Sequence, residues 1–127
     1  LKLGTYGFLR FSIPLFPFAT CYFTPLMYTL SLLGIIYASL TTLRQIDLKK
    51  IIAYSSVGHM NIVLLGIIAG NVEALQGAIF QMLSHGVVSG ALFFCVGVLY
   101  ERYSVRSLKY FGGLTYFYPI FSIVFLL

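Results

Sequence analysis

Charge is what this sequence has least of. Asp, Glu, Lys and Arg make up only 9% of its 127 residues, and just three are acidic, whereas an ordinary soluble domain carries roughly a quarter charged residues. A solvated globule is excluded. Tryptophan is absent, and the two cysteines, Cys21 and Cys95, stand far apart, so neither a disulfide framework nor a thiolate-ligated zinc or iron–sulfur site is indicated. The chain also lacks a glycine-rich dinucleotide fingerprint on a strand and any phosphate-cradling loop, which leaves nowhere to hold NADH, flavin or ATP. Electrons are not expected to pass through it. Leu1 is not a methionine and no small-residue cleavage site follows Lys2, so no secretory signal is read; the start suggests a chain beginning mid-gene or after processing.

What is abundant is apolar length. Hydrophobic residues reach 60% and the mean hydropathy is +0.97. The charges are bunched, leaving uncharged runs from Phe11 to Leu43, Ile51 to Val72, Ala74 to Tyr100 and Tyr110 to Leu127. About 20 apolar residues cross a bilayer. The expected fold is therefore an all-α, polytopic transmembrane helix bundle without a soluble domain, its helices at about 1–16 (partial), 25–43, 48–69, 74–100 and 110–127 (partial). Pro14 and Pro17 stop the first helix and Pro25 suits the first turn of the second. Asp47 and Asn71 are placed to cap the next two. Small residues four apart, Gly34 with Ala38, Gly66 with Gly70 and Gly86 with Gly90, would let helix backbones approach closely.

A net charge of +5 and a pI near 9.4 would suggest nucleic acid in a soluble protein. Here the cations sit at the ends of apolar runs, where they set orientation, so no nucleic-acid partner is expected. The loops 44–50 and 101–109 each carry three basic residues, while the turns 14–24 and 70–73 carry none. One topology satisfies this alternation, with both basic loops facing the cytoplasm or mitochondrial matrix.

Ionisable residues at depth are the informative ones in such a chain. At 1.5 Å of rise per residue, His59 lies roughly 12 to 17 Å into its helix, His85 about 16 Å and Lys2 roughly 12 to 18 Å from the interface near Arg10 to Pro14. Three titratable groups on three helices thus fall near one plane. Polar neighbours accompany them: Ser55 and Ser56 before His59, Gln81, Ser84 and Ser89 around His85, and Tyr6 four residues after Lys2. Such stripes order internal water, and a desolvated lysine or histidine exchanges protons near neutrality. The plainer readings are a hydrogen-bonded core histidine at His59 and a snorkelling lysine at Lys2. Coincident depth weakens both. A zinc site from His59 and His85 lacks further ligands in the chain.

Four stretches, Leu1–Phe11 (LKLGTYGFLRF), Leu43–Met60 (LRQIDLKKIIAYSSVGHM), Gln81–Gly86 (QMLSHG) and Tyr100–Arg102 (YER), closely resemble the subunit 4 family among the antiporter-like membrane subunits of proton-pumping NADH:ubiquinone oxidoreductase, respiratory complex I. The resemblance runs in order along nearly the whole chain and is weakly marked only after about Tyr110. It implies a segment of a bundle of about fourteen helices, from the eighth to the start of the discontinuous twelfth. Lys2 would match the central lysine, His85 the eleventh-helix histidine and His59 the tenth-helix histidine of a proton-conducting axis. The family's fifth-helix glutamate, seventh-helix lysine and twelfth-helix ionisable residue have no counterpart here. The chain would then be one piece of a split subunit, or part of a longer one.

The function so implied is proton translocation along a Lys and His axis with water, coupled to quinone reduction elsewhere, as a subunit of the enzyme. The NADH, FMN, iron–sulfur clusters and ubiquinone of the complex would all be bound by other chains, with no cofactor or metal on this one. The other membrane-arm subunits, any chain supplying missing helices, and lipid would be its partners. Its place would be the mitochondrial inner membrane, with loops 44–50 and 101–109 facing the matrix. The rival readings are a cation/proton antiporter subunit and a structural or assembly piece of complex I.

Overall fold

In a computed structural model the described residues, 1–126, are almost wholly helical. The chain enters through α1 (Lys2–Gly7), a π-helical turn at Phe8–Ser12 and α2 (Ile13–Leu15), which follow one another without leaving helical backbone angles. It breaks at Phe16, whose φ of −130° and ψ of 60° reflect the steric demand of the proline that follows. Three long helices come next: α3 (Pro17–Leu43), α4 (Leu48–Ile68) and α5 (Val72–Tyr103). Each is long and apolar enough to cross a membrane.

The second helix starts at Pro17 and not near Pro25, which lies inside it. Pro17 occupies the first turn, where a missing N–H costs nothing. Thr20 ties the junction together, its hydroxyl donating to Phe16 O at 2.8 Å and Ser12 O at 3.1 Å. An interior proline removes one backbone hydrogen bond, which membrane helices tolerate when nearby hydroxyls take over backbone groups. The carbonyl left without its N–H is that of Cys21, while the neighbouring Thr24 hydroxyl donates to Thr20 O at 2.8 Å. The region 14–24 is consequently a one-residue break and not a loop.

At the other end α5 continues to Tyr103 and closes on Ser104 in the left-handed region at φ 55°. Asp47 and Asn71 hold the N-cap positions of α4 and α5 with extended backbone, but neither side chain caps. Asp47 turns its carboxylate to Lys50 at 3.5 Å instead. The two basic loops are joined: Leu48 N–H donates to Arg106 O at 3.1 Å and Leu108 N–H to Ile46 O at 2.9 Å, an antiparallel bridge between Asp47 and Ser107. After it the chain forms a 3-10 turn (Leu108–Phe111), α6 (Leu114–Phe117) and α7 (Pro119–Leu126). The expected last span is therefore interrupted at Gly113, with φ +78°, and again at Tyr118.

α4 is central, packed between α3 and α5 and touched by α1. Its inner stripe of Met60, Val63 and Ile67 meets Ala78 of α5, with Leu9, Ile13, Leu75 and Met82 around them. Small residues set the spacing. A Cβ on Gly34 would stand 2.5 Å from Asn61 Nδ2, and one on Gly66 would stand 3.2 Å from both Ala74 O and Ala78 Cβ. Gly70, expected to pair with Gly66, serves a turn at φ +73°, and Gly90 meets nothing within 4 Å. Most large apolar side chains point outward, Phe18 at 91% exposure and Leu83 at 69% among them, as helices facing lipid or further helices must.

Candidate functional site

The residues singled out by depth come from three different helices, and tertiary packing brings three of them together. His85 is in the middle of α5 and 8% exposed. His59, on the neighbouring α4, brings its ring centroid to 5.5 Å from that of His85 at an interplanar angle of 57°. Lys2 reaches across from α1 to the next residue of α5: its Cε and Nζ stand 3.8 Å and 4.0 Å from where a Cβ of Gly86 would be. Glycine at 86 is what leaves the lysine room.

His85 Nδ1 is buried and meets no hydrogen-bond partner among the described residues. Buried polar atoms are nearly always paired, with protein or with water. The atom is therefore buried with its bonding capacity unspent. His59 differs: it is exposed and lines a groove of about 350 Å³ between α3 and α4. Thr42 and Ser39 on α3, with Tyr54 and Ser55 on α4, line the same groove, which extends from the basic end of α3 to His59.

The supporting polar residues are arranged less directly than their spacing suggests. Ser89 Oγ donates to His85 O at 2.6 Å and Ser84 Oγ to Gln81 O at 3.2 Å. Ser55 and Ser56 both donate to Ile52 O, at 2.8 Å and 2.9 Å. Each hydroxyl thus spends its proton on its own helix, keeping only acceptor lone pairs for anything else. Gln81 is half-buried on α5, whereas Tyr6 is 50% exposed and contributes nothing visible to the cluster. Among the described residues no three His, Cys, Asp or Glu side chains converge as a metal site would need.

Reading along the sequence overlooked Asn61, two positions after His59, whose Nδ2 donates to Val57 O at 3.0 Å and packs over Gly34. An amide in a membrane helix was itself the available signal. The π-helical turn at Phe8–Ser12, between Lys2 and the break at Phe16, left no trace in residue pattern. Its Ile13 N–H reaches Phe8 O, five residues back.

Residues 1–127 match the family described as NADH:quinone oxidoreductase/Mrp antiporter, TM. The chain is 66% identical over 126 residues to NADH-ubiquinone oxidoreductase chain 4 of Marchantia polymorpha, covering 99% of this chain and 26% of that protein. It is 65% identical over 125 residues to the protein of the same name from Triticum aestivum, covering 98% of this chain and 25% of that protein. It thus spans about a quarter of the length of these relatives. A chain of respiratory complex I from Thermus thermophilus with bound NADH superposes with a TM-score of 0.92 at 31% identity, over 98% of this chain and 28% of that one.

Proposed function

The chain belongs to the NADH:quinone oxidoreductase/Mrp antiporter transmembrane family, and from that premise we propose that it carries part of a proton path in the membrane arm of NADH:ubiquinone oxidoreductase. The observation that carries this reading is the convergence of Lys2, His85 and His59, with a buried, unpartnered Nδ1 on the middle member.

An imidazole takes a proton on one nitrogen and releases it from the other, so it relays without diffusing. Two rings 5.5 Å apart are within reach of a single bridging water. Their separation also couples them. Like charges at that separation repel, so a proton on one ring disfavours a proton on the other. A proton arriving at His59 favours release from His85, and the Lys2 ammonium beside Gly86 adds to the same repulsion. In this reading His59 is the entry or exit of the stretch, on the groove that runs toward the basic end between Thr42, Ser39 and Ser55 and the apolar Ile35, Leu43 and Ile62. Charge changes relayed from quinone reduction elsewhere would drive the sequence, and residues of the complete subunit outside this segment would supply the remainder of the path.

In this reading the chain has no redox centre and its partners are the other membrane-arm subunits, the rest of its own subunit and lipid. It lies in the mitochondrial inner membrane with loops 44–50 and 101–109 on the matrix side. The test is Lys2→Ala and His85→Ala in the complete complex. Proton translocation and coupled quinone reduction should fall about tenfold or more, a barrier rise of about 1.4 kcal/mol, while NADH oxidation by an artificial acceptor persists. Unchanged translocation overturns the proposal, and a loss of assembled complex with normal translocation per complex assigns a structural role. The family description also spans Mrp antiporters, so a cation/proton antiporter subunit is the second reading; copurification with flavin and iron–sulfur subunits excludes it.

A further inference from the structure

A second cluster of cations lies at the basic end, away from the histidines. Lys49, in the first turn of α4, and Arg106, in the loop after α5, line one groove of about 190 Å³ together with Tyr100, Gly97, Val96 and Phe93 of α5. Their backbones are held in place by the bridge between the loops, through Leu48 N–H to Arg106 O at 3.1 Å and Leu108 N–H to Ile46 O at 2.9 Å. The Arg106 guanidinium lies 4.2 Å from the centroid of the Tyr100 ring. No carboxylate answers the two cations among the described residues: Asp47 is engaged by Lys50 at 3.5 Å, and Glu101 does not line the groove.

We propose that this groove binds an anionic glycerophospholipid, its phosphate between Lys49 and Arg106 and an acyl chain along Phe93, Val96 and Gly97. Charge decides the head group, since two unanswered cations in one cleft call for an anion. Depth decides that the anion is a lipid. Phe93 lies ten residues before the end of α5 at Tyr103, about 15 Å along the helix, so the apolar floor runs from the polar boundary into the hydrocarbon. A free phosphate would use the cations and leave that floor uncovered. Basic pockets between membrane helices on the positively charged side are where anionic head groups bind.

Nanodiscs are prepared with the complete complex and either diazirine-tagged phosphatidylglycerol or diazirine-tagged phosphatidylcholine, and adducts are mapped by mass spectrometry. Phosphatidylglycerol should label residues 93–106 in preference to phosphatidylcholine. Each cation near an anionic surface is worth about a fivefold factor, so Lys49→Gln with Arg106→Gln should lower that labelling about thirtyfold. Lys49→Arg with Arg106→Lys should keep it. A Cβ on Gly97 meets nothing within 4 Å, so Gly97→Leu fills the groove with both charges intact and should also lower labelling. Should the double Gln variant fail to assemble, Gly97→Leu and the comparison of the two lipids in the unaltered complex decide. Equal labelling by both lipids overturns the proposal. So do labelling undiminished in Gly97→Leu, displacement of the lipid by inorganic phosphate, and a photoreactive residue at position 97 that crosslinks to protein instead of lipid.

Discussion

Substituting Gly34 by Ala tests the close approach of α3 to α4, the helix that carries His59. A Cβ at Gly34 would stand 2.5 Å from Asn61 Nδ2, 2.9 Å from its Cγ and 3.1 Å from its Oδ1, closer than any such contact persists. Asn61 must swing away or α3 must withdraw from α4. Swinging away breaks the bond from Asn61 Nδ2 to Val57 O at 3.0 Å, a loss of about 1 kcal/mol net. Withdrawal loosens the contact along the helices, and overpacking of this kind costs about 1–3 kcal/mol. Alanine returns about 1 kcal/mol of helix propensity. Net of the propensity gain, the balance is a destabilisation of up to about 2 kcal/mol, and because the displaced Asn61 lies one helical turn or less from His59, proton translocation per complex should fall as well. The assay is a double-mutant cycle on the full-length subunit in detergent micelles, read from the midpoint of SDS-induced unfolding. Asn61→Ala removes the obstructing amide, so Gly34→Ala combined with Asn61→Ala should regain most of the loss. No coupling between the two positions would refute the reasoning.

The other consequences concern single sites and use the same unfolding measurement. Gly66→Ala presses on Ala74 O and Ala78 Cβ, both at 3.2 Å, and should cost about 1–3 kcal/mol because backbone cannot step aside. Gly77→Ala, with nothing within 4 Å, should instead gain up to about 1 kcal/mol. Gly70 holds φ +73°, so Gly70→Ala should cost about 1–2 kcal/mol. Ser104→Gly should stabilise the end of α5 by up to about 1 kcal/mol, since Ser104 sits at φ 55° where glycine is unstrained.

Much of this molecule is legible in residue order because lipid makes simple demands. An uncharged run of membrane length must be a helix, since no other single segment satisfies its own backbone in hydrocarbon; α4 and α5 follow nearly as read. That Lys2, His59 and His85 stand at one level along their helices also follows from counting, because helical rise is constant. Local rules failed where the surroundings overrode them. Pro25 is placed by the sequence at a helix start, although a membrane helix tolerates an interior proline. Asp47 was read as a cap, although a cation three residues on competes for its carboxylate.

The order of residues by itself determined that the chain is a set of membrane helices, nearly where they turn, which end is basic and at what level along the helices the ionisable groups stand. It could not determine which faces meet. Helices that are apolar on every side carry no stripe pointing to a core, so their rotation has no signature in hydropathy. Only tertiary structure decided that His59 lies 5.5 Å from His85, that Lys2 passes over Gly86, and that the two basic loops pair to bring Lys49 and Arg106 into one groove. The physical reason is that rotation and crossing are set by close contacts such as Gly34 with Asn61 and Gly66 with Ala78, which join residues distant in the chain.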